Sequence, residues 1–236
     1  MKKNALASLL SATALLMPTV SAHAVVLYEH DFQSAPGAEW SHTNRTDAPT
    51  PYPFGARTFL GEFGNETVSL TLTGLSAYDN LRLEFDLYLI RSWDGSSSGT
   101  TFDYGNDAFK VTLGDGSVLL DETFSNGNPA GQSYGPASLN PYHTGAAETY
   151  SLGFTFYDGI LQTSQVMDSV YRFSFAFASA TDLLNLNFTG YGLQGVDDES
   201  WGLDNVRVSA VPEAGSAPLM ALGLLVLAWQ VRRHNR

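Results

Sequence analysis

The chain has 236 residues, 44% hydrophobic and 15% charged, with 24 acidic and 12 basic side chains and a formal net charge of −12. That length suits one large β domain, and so acidic a surface repels phosphate backbones, which excludes a nucleic-acid partner. Cysteine is absent, which excludes disulfides, thiolate metal sites and thiol nucleophiles.

Residues 1–24, MKKNALASLLSATALLMPTVSAHA, place Lys2 and Lys3 before an apolar run from Ala5 to Met17, then Pro18, then Ala22-His23-Ala24. A basic front, a short apolar middle and an A-x-A end form the layout of a secretory signal peptide, so cleavage is expected after Ala24. Between Val25 and Ala210 there remain 7 basic and 23 acidic residues, a net −16. Such a body suits export in soluble form and divalent cations bound through oxygen.

Residues 25–210 are patterned with period two. Predicted strands run from Val25 to Phe32, through Val68, Leu70 and Leu72, and from Leu81 to Leu89, where apolar and mostly polar residues alternate. Lys110 to Leu120 predicts a hairpin turning at Asp115-Gly116. Tyr171, Phe173, Phe175 and Phe177 form another alternating set, followed by Leu184, Leu186 and Phe188. No stretch of the body carries a helical stripe. Strands of this kind separated by turn-rich loops predict an all-β, antiparallel β-sandwich of jelly-roll type. Two long loops, 33–57 and 125–147, are the expected place for contacts with a ligand.

The closing stretch DESWGLDNVRVS, Asp198 to Ser209, resembles the last strand of extracellular sandwich families, including carbohydrate-binding (concanavalin-like), laminin-G-like and MAM-type jelly rolls. The resemblance implies a fold class and no ligand. In such a sandwich the opening strand at Val25 is expected beside it.

A metal site is predicted from loop carboxylates. Asp94 lies just past the Leu81–Arg91 strand, Asp107 is expected to open a neighbouring antiparallel strand, and Glu199 immediately precedes the closing strand. Calcium takes six to eight oxygens from such groups, so Asp94, Asp107 and Glu199 are the expected ligands. Turns require the same residue types, which is the competing reading. For sugar contact, loop aromatics offer stacking faces. Trp40, Tyr104, Tyr134 and Tyr142 are the candidates, whereas Trp93 and Trp201 are expected in the core.

Catalysis is not expected. His30, His42 and His143 lack metal-ligand spacing, no G-x-S-x-G elbow is present, and Glu84 with Asp86 reads as solvated strand surface.

The C-terminal segment 211–236 reads VPEAGSAPLMALGLLVLAWQVRRHNR. Residues 217–231 predict a transmembrane segment of about 22 Å, short for a bilayer core of about 30 Å. Arg232 and Arg233 then orient it with the body outside. Val211-Pro212-Glu213, the short apolar helix and Arg232-Arg233 resemble the PEP-CTERM sorting tail, with Ala214 where that family usually has a second proline. The resemblance implies an exosortase-type membrane protease as partner, transient anchoring in the inner membrane, and delivery to the cell surface or exopolysaccharide matrix of a Gram-negative bacterium. An ordinary single-pass anchor is the alternative. The expected function is therefore a non-enzymatic surface or biofilm-matrix protein that binds polysaccharide or another matrix component. The alternatives are a surface glycoside hydrolase and a structural surface protein with no specific ligand.

Overall fold

A computed structural model describes residues 24–51, 53–75, 78–97, 104–127, 131–158, 162–179 and 181–211, with Gln230 and Arg233 besides. Those residues of the body are all-β. The signal-peptide reading, Pro212, Glu213, Arg232 and all of 217–231 except Gln230 lie outside the described residues. Gln230 and Arg233 are helical and exposed, and among the described residues no helix is long and apolar enough to cross a membrane.

The strands are β1 (Val25–His30), β2 (Arg45–Ala48), β3 (Arg57–Phe63), β4 (Thr67–Leu72), β5 (Asn80–Arg91), β6 (Ala108–Leu113), β7 (Val118–Thr123), β8 (Glu148–Thr149), β9 (Thr155–Asp158), β10 (Thr163–Val166), β11 (Asp168–Ala178), β12 (Leu184–Tyr191) and β13 (Glu199–Ala210). A seven-stranded sheet runs β2-β3-β13-β5-β11-β8, with β1 also paired to β13; a four-stranded sheet runs β4-β12-β6-β7, and β9 pairs β10. All pairings are antiparallel.

The pleat explains the division of faces. Leu81, Leu83, Phe85, Leu87 and Leu89 of β5 enter the main core, while Tyr88 and Ile90 belong to a second cluster with Ala48, Phe59, Leu152, Phe154 and Val170. Successive side chains point to opposite faces, so the second cluster lies on the outer side of the seven-stranded sheet. Between the sheets, Phe85 of β5 meets Phe188 of β12 edge-on at 5.2 Å, and Phe109 of β6 meets Trp201 of β13 at 5.0 Å. Each such pair adds about 0.5–1.5 kcal/mol to the burial of its rings. The expected hairpin is β6–β7, with Gly116 at φ 88° in its turn, and β1 pairs β13 from Val25↔Ala210 to His30↔Val206.

Two features depart from the expected pattern. Arg57–Phe63 has no clean alternation because β3 is buried on both sides, Phe59 in the outer cluster and Leu60 and Phe63 in the core. Second, β6 is no neighbour of β5: it belongs to the opposite sheet, and Asp107 reaches the end of β5 across the sandwich.

β13 also carries a bulge. Opposite β5 the register shifts between Asp204 and Arg207. On its other edge the partner changes from β3, paired through Leu203, to β1, paired from Val206. Asn205 falls at that junction with φ 50°.

Candidate functional site

At one end of the sandwich, carboxylate oxygens of Asp94, Asp107 and Glu199 all lie within 4.8 Å of one another. Asp94 follows β5 and is held by a bridge to Ser125. Asp107 immediately precedes β6; its N–H donates to the Gly95 carbonyl (3.0 Å) and its carbonyl accepts from Phe124 N–H (3.0 Å). Glu199 opens β13 and its Oε2 accepts from Gln194 N–H at 2.6 Å. The surrounding loops are tied together: Gln194 Nε2 donates to the Tyr104 carbonyl (3.0 Å), and Tyr104 N–H to Ser97 Oγ (3.2 Å).

Asp107 and Glu199 are wholly buried. One oxygen of each, Asp107 Oδ1 and Glu199 Oε1, is buried with no hydrogen-bond partner. Burial raises the pKa of Asp107; the Asp94 N–H opposes this, and the Asp94 charge adds to it. Burial also raises Glu199, and the Asp107 charge pushes it further. Three carboxylates with no nitrogen or sulfur donor suit a hard, oxygen-seeking cation of the calcium type. Uncompensated, two buried carboxylates with unmet oxygens would be costly. The donor set therefore fits calcium.

The aromatic candidates divide. Tyr104 and Tyr142 are exposed, 49% and 46%. Trp40 and Tyr134 correct the expectation that they stand free as stacking faces. Trp40 is 4% exposed, bridges to Leu70, donates from Nε1 to Tyr28 Oη (2.6 Å) and packs on Phe188. Tyr134 packs against Phe124, Tyr171 and Phe173. Both lie in loops that fold back over the core, where an aromatic ring gains more from burial than from water. Trp93 and Trp201 are wholly buried, as expected, with their Nε1 donors satisfied by the Ser200 and Gly64 carbonyls.

One exposed tyrosine was not among the candidates. Tyr150 is 44% exposed. Both Tyr142 and Tyr150 meet the His143 ring edge-on, at 5.1 and 5.0 Å. Burial lowers the His143 pKa to about 4, so the imidazole between them is neutral at ordinary pH. Tyr150 sits in the stretch Glu148-Thr149-Tyr150-Ser151-Leu152, which gives no local signal for pairing with Tyr142.

Asp86 also corrects its expected role as solvated surface. On the outer face it accepts from Asn205 Nδ2 (2.9 Å), lies 3.6 Å from Arg172 Nε, and is register partner to Asp204. Arg172 and Arg57 both bind Glu148, at 2.6 and 2.7 Å. A polar chain thus crosses the sheet from β8 to β13.

No family model matches the chain, and no curated protein matches it. Among solved structures it is similar to CBM27-1 of Caldicellulosiruptor saccharolyticus, solved in complex with mannohexaose, at 16% identity and TM-score 0.35, over 79% of this chain and 97% of that one. It is also similar to TmCBM27, described for specific mannan recognition, at 16% identity and TM-score 0.34, over 81% and 100%. A third is the carbohydrate-binding module CBM6cm-2 of Cellvibrio mixtus lichenase 5A, in complex with cellotriose, at 10% identity and TM-score 0.28, over 80% and 100%. At those scores nothing about this chain's ligand follows from the likeness.

Proposed function

We propose that the chain is an exported, non-catalytic β-sandwich that holds calcium at Asp94, Asp107 and Glu199 and binds polysaccharide, or another hydroxyl-rich matrix component, at the cell surface. The calcium reading is carried by the unmet oxygens of the two buried carboxylates. A divalent cation supplies the missing partner to both and cancels their repulsion.

The sugar reading is supported by the exposed rings of Tyr142 and Tyr150 around neutral His143, a firm apolar surface with hydroxyls at its margin. Export and sorting rest on the chain's ends: the signal-peptide layout and the tail that resembles PEP-CTERM, with an exosortase-type protease as partner. Surface glycoside hydrolysis is the second reading, favoured by Asp204, raised to about 6 beside Asp86. A matching test is release of reducing ends from polysaccharide.

Calorimetric titration of neutral polysaccharides into the purified protein tests the main reading. Wild type binds without releasing product, and replacing both Tyr142 and Tyr150 by alanine weakens binding about tenfold while calcium binding persists. No binding to any neutral polysaccharide, or sugar release abolished by Asp204→Asn, overturns it.

A further inference from the structure

Where β13 changes partner from β3 to β1, the outer face opens into a cleft of about 400 Å³ lined by Glu29, His30, Asp31, Ser34, Asn205 and Arg207. A volume of that order falls within the usual range of ligand pockets, about 300–1,000 Å³. The cleft exists because of the bulge: the extra residue on β13 leaves Asn205 unpaired, left-handed and exposed. Bulges re-aim side chains in this way, often next to functional sites.

Its lining has hydrogen-bonding capacity that the fold leaves unused. Arg207 is the register partner of Glu29 on β1 and of Glu84 on β5. Yet its Nε is buried with no partner, and no ion pair among the described residues involves it. His30 Nδ1 accepts from Phe32 N–H at 2.9 Å, so the neutral ring carries its proton on Nε2 as a donor. Asn205 spends Nδ2 on Asp86 and keeps its carbonyl oxygen as an acceptor. Donors from Arg207 and His30 therefore stand beside acceptors from Asn205, Glu29 and Asp31, an arrangement that suits hydroxyl groups, which donate and accept at once.

Charge selects within that class. The cleft carries Glu29 and Asp31 against Arg207, with Glu84 and Asp204 close by in register, so it disfavours an anionic sugar. We propose that this cleft is a binding site for a neutral sugar unit of a polysaccharide. It is a second subsite besides the Tyr142–Tyr150 surface, and from it the polar chain Asn205–Asp86–Arg172–Glu148 runs across the sheet to β8. The proposal rests on the polysaccharide reading above and adds the place and charge class of the ligand.

The test is titration of the purified full chain with neutral galactomannan and hydroxyethylcellulose and with anionic polygalacturonate. Wild type binds at least one neutral polymer and not the anionic one. Arg207→Ala weakens binding about tenfold or more, because a hydrogen bond to a charged donor is lost. Should Arg207→Ala unfold, Asn205→Gly answers instead: glycine keeps the left-handed backbone and removes the amide, and binding falls while the variant still unfolds in one cooperative transition. If wild type binds and both folded variants bind equally well, the cleft proposal is overturned while the polysaccharide reading stands. Preference for polygalacturonate overturns the charge assignment and with it the proposal, and no binding by wild type overturns both readings.

Discussion

Asp107 stands at the mouth of β6 in the four-stranded sheet and Glu199 at the mouth of β13 in the seven-stranded sheet, and their carboxylates meet within 4.8 Å together with that of Asp94. A cation held there would fasten the two layers of the sandwich to each other. Without it, two buried carboxyl groups face each other uncompensated, and burial and repulsion among the three carboxylates hold the pKa of both above the usual carboxylate range.

Calcium should therefore act as a structural clamp. At a free concentration a hundredfold above Kd it adds about 2.7 kcal/mol to stability. Removing calcium with a chelator lowers the melting temperature of wild type. Asp107→Asn loses this response, because the anionic oxygen that would hold the cation is gone. Identical wild-type melting curves with calcium and with chelator would refute the clamp.

Gly192 is the next point of leverage. Its φ is 84°, and a Cβ there would stand 2.0 Å from the carbonyl oxygen of Asn106, the residue before Asp107. Gly192→Ala must displace backbone and holds a strained conformation worth about 1–3 kcal/mol. The expected outcome is a lower urea midpoint together with weaker calcium binding, since the displaced strand end carries Asp107. A variant with a wild-type midpoint and wild-type calcium affinity would show that the two loops are not packed as described.

Asp204 makes stability depend on pH. Burial pushes its pKa up to about 6, against the opposing hydrogen bonds from Tyr88 Oη (2.7 Å) and Asn205 N–H (2.8 Å). Unfolded, the group titrates near about 3.9. Between those values the native state binds more protons than the unfolded one, so the contribution is whole below about pH 4 and is lost as pH rises through about 6. Relative to Asp204→Asn, wild type loses about 2 kcal/mol between pH 4 and 7. Urea titrations of both proteins at the two pH values measure this, and parallel behaviour would refute it.

The C-terminal segment makes its own prediction. If the tail that begins Val211-Pro212-Glu213 is a sorting signal, protein extracted from the cell surface lacks Leu219 to Arg236 by intact mass. Glu213→Ala leaves the full-length chain in the inner membrane. Surface protein that retains those residues would make the segment an ordinary anchor.

The amino-acid sequence by itself determined the layered β class, because alternation at Leu81–Leu89 and at Tyr171–Phe177 is a local property that only a strand with one buried face satisfies. It also named Asp94, Asp107 and Glu199, since strand ends and turn chemistry are legible residue by residue. The tertiary structure alone decided which sheet each strand joins. Putting β6 opposite β5, packing the loop residues Trp40 and Tyr134 against the core, and setting Tyr150 with Tyr142 around His143 are consequences of long-range register. The β13 bulge belongs to the same class: Asp204, Asn205 and Arg207 look like ordinary strand residues until the change of partner from β3 to β1 opens the backbone between them. Pairing energies depend on what lies across the strand, and a window of neighbours along the chain carries no record of that.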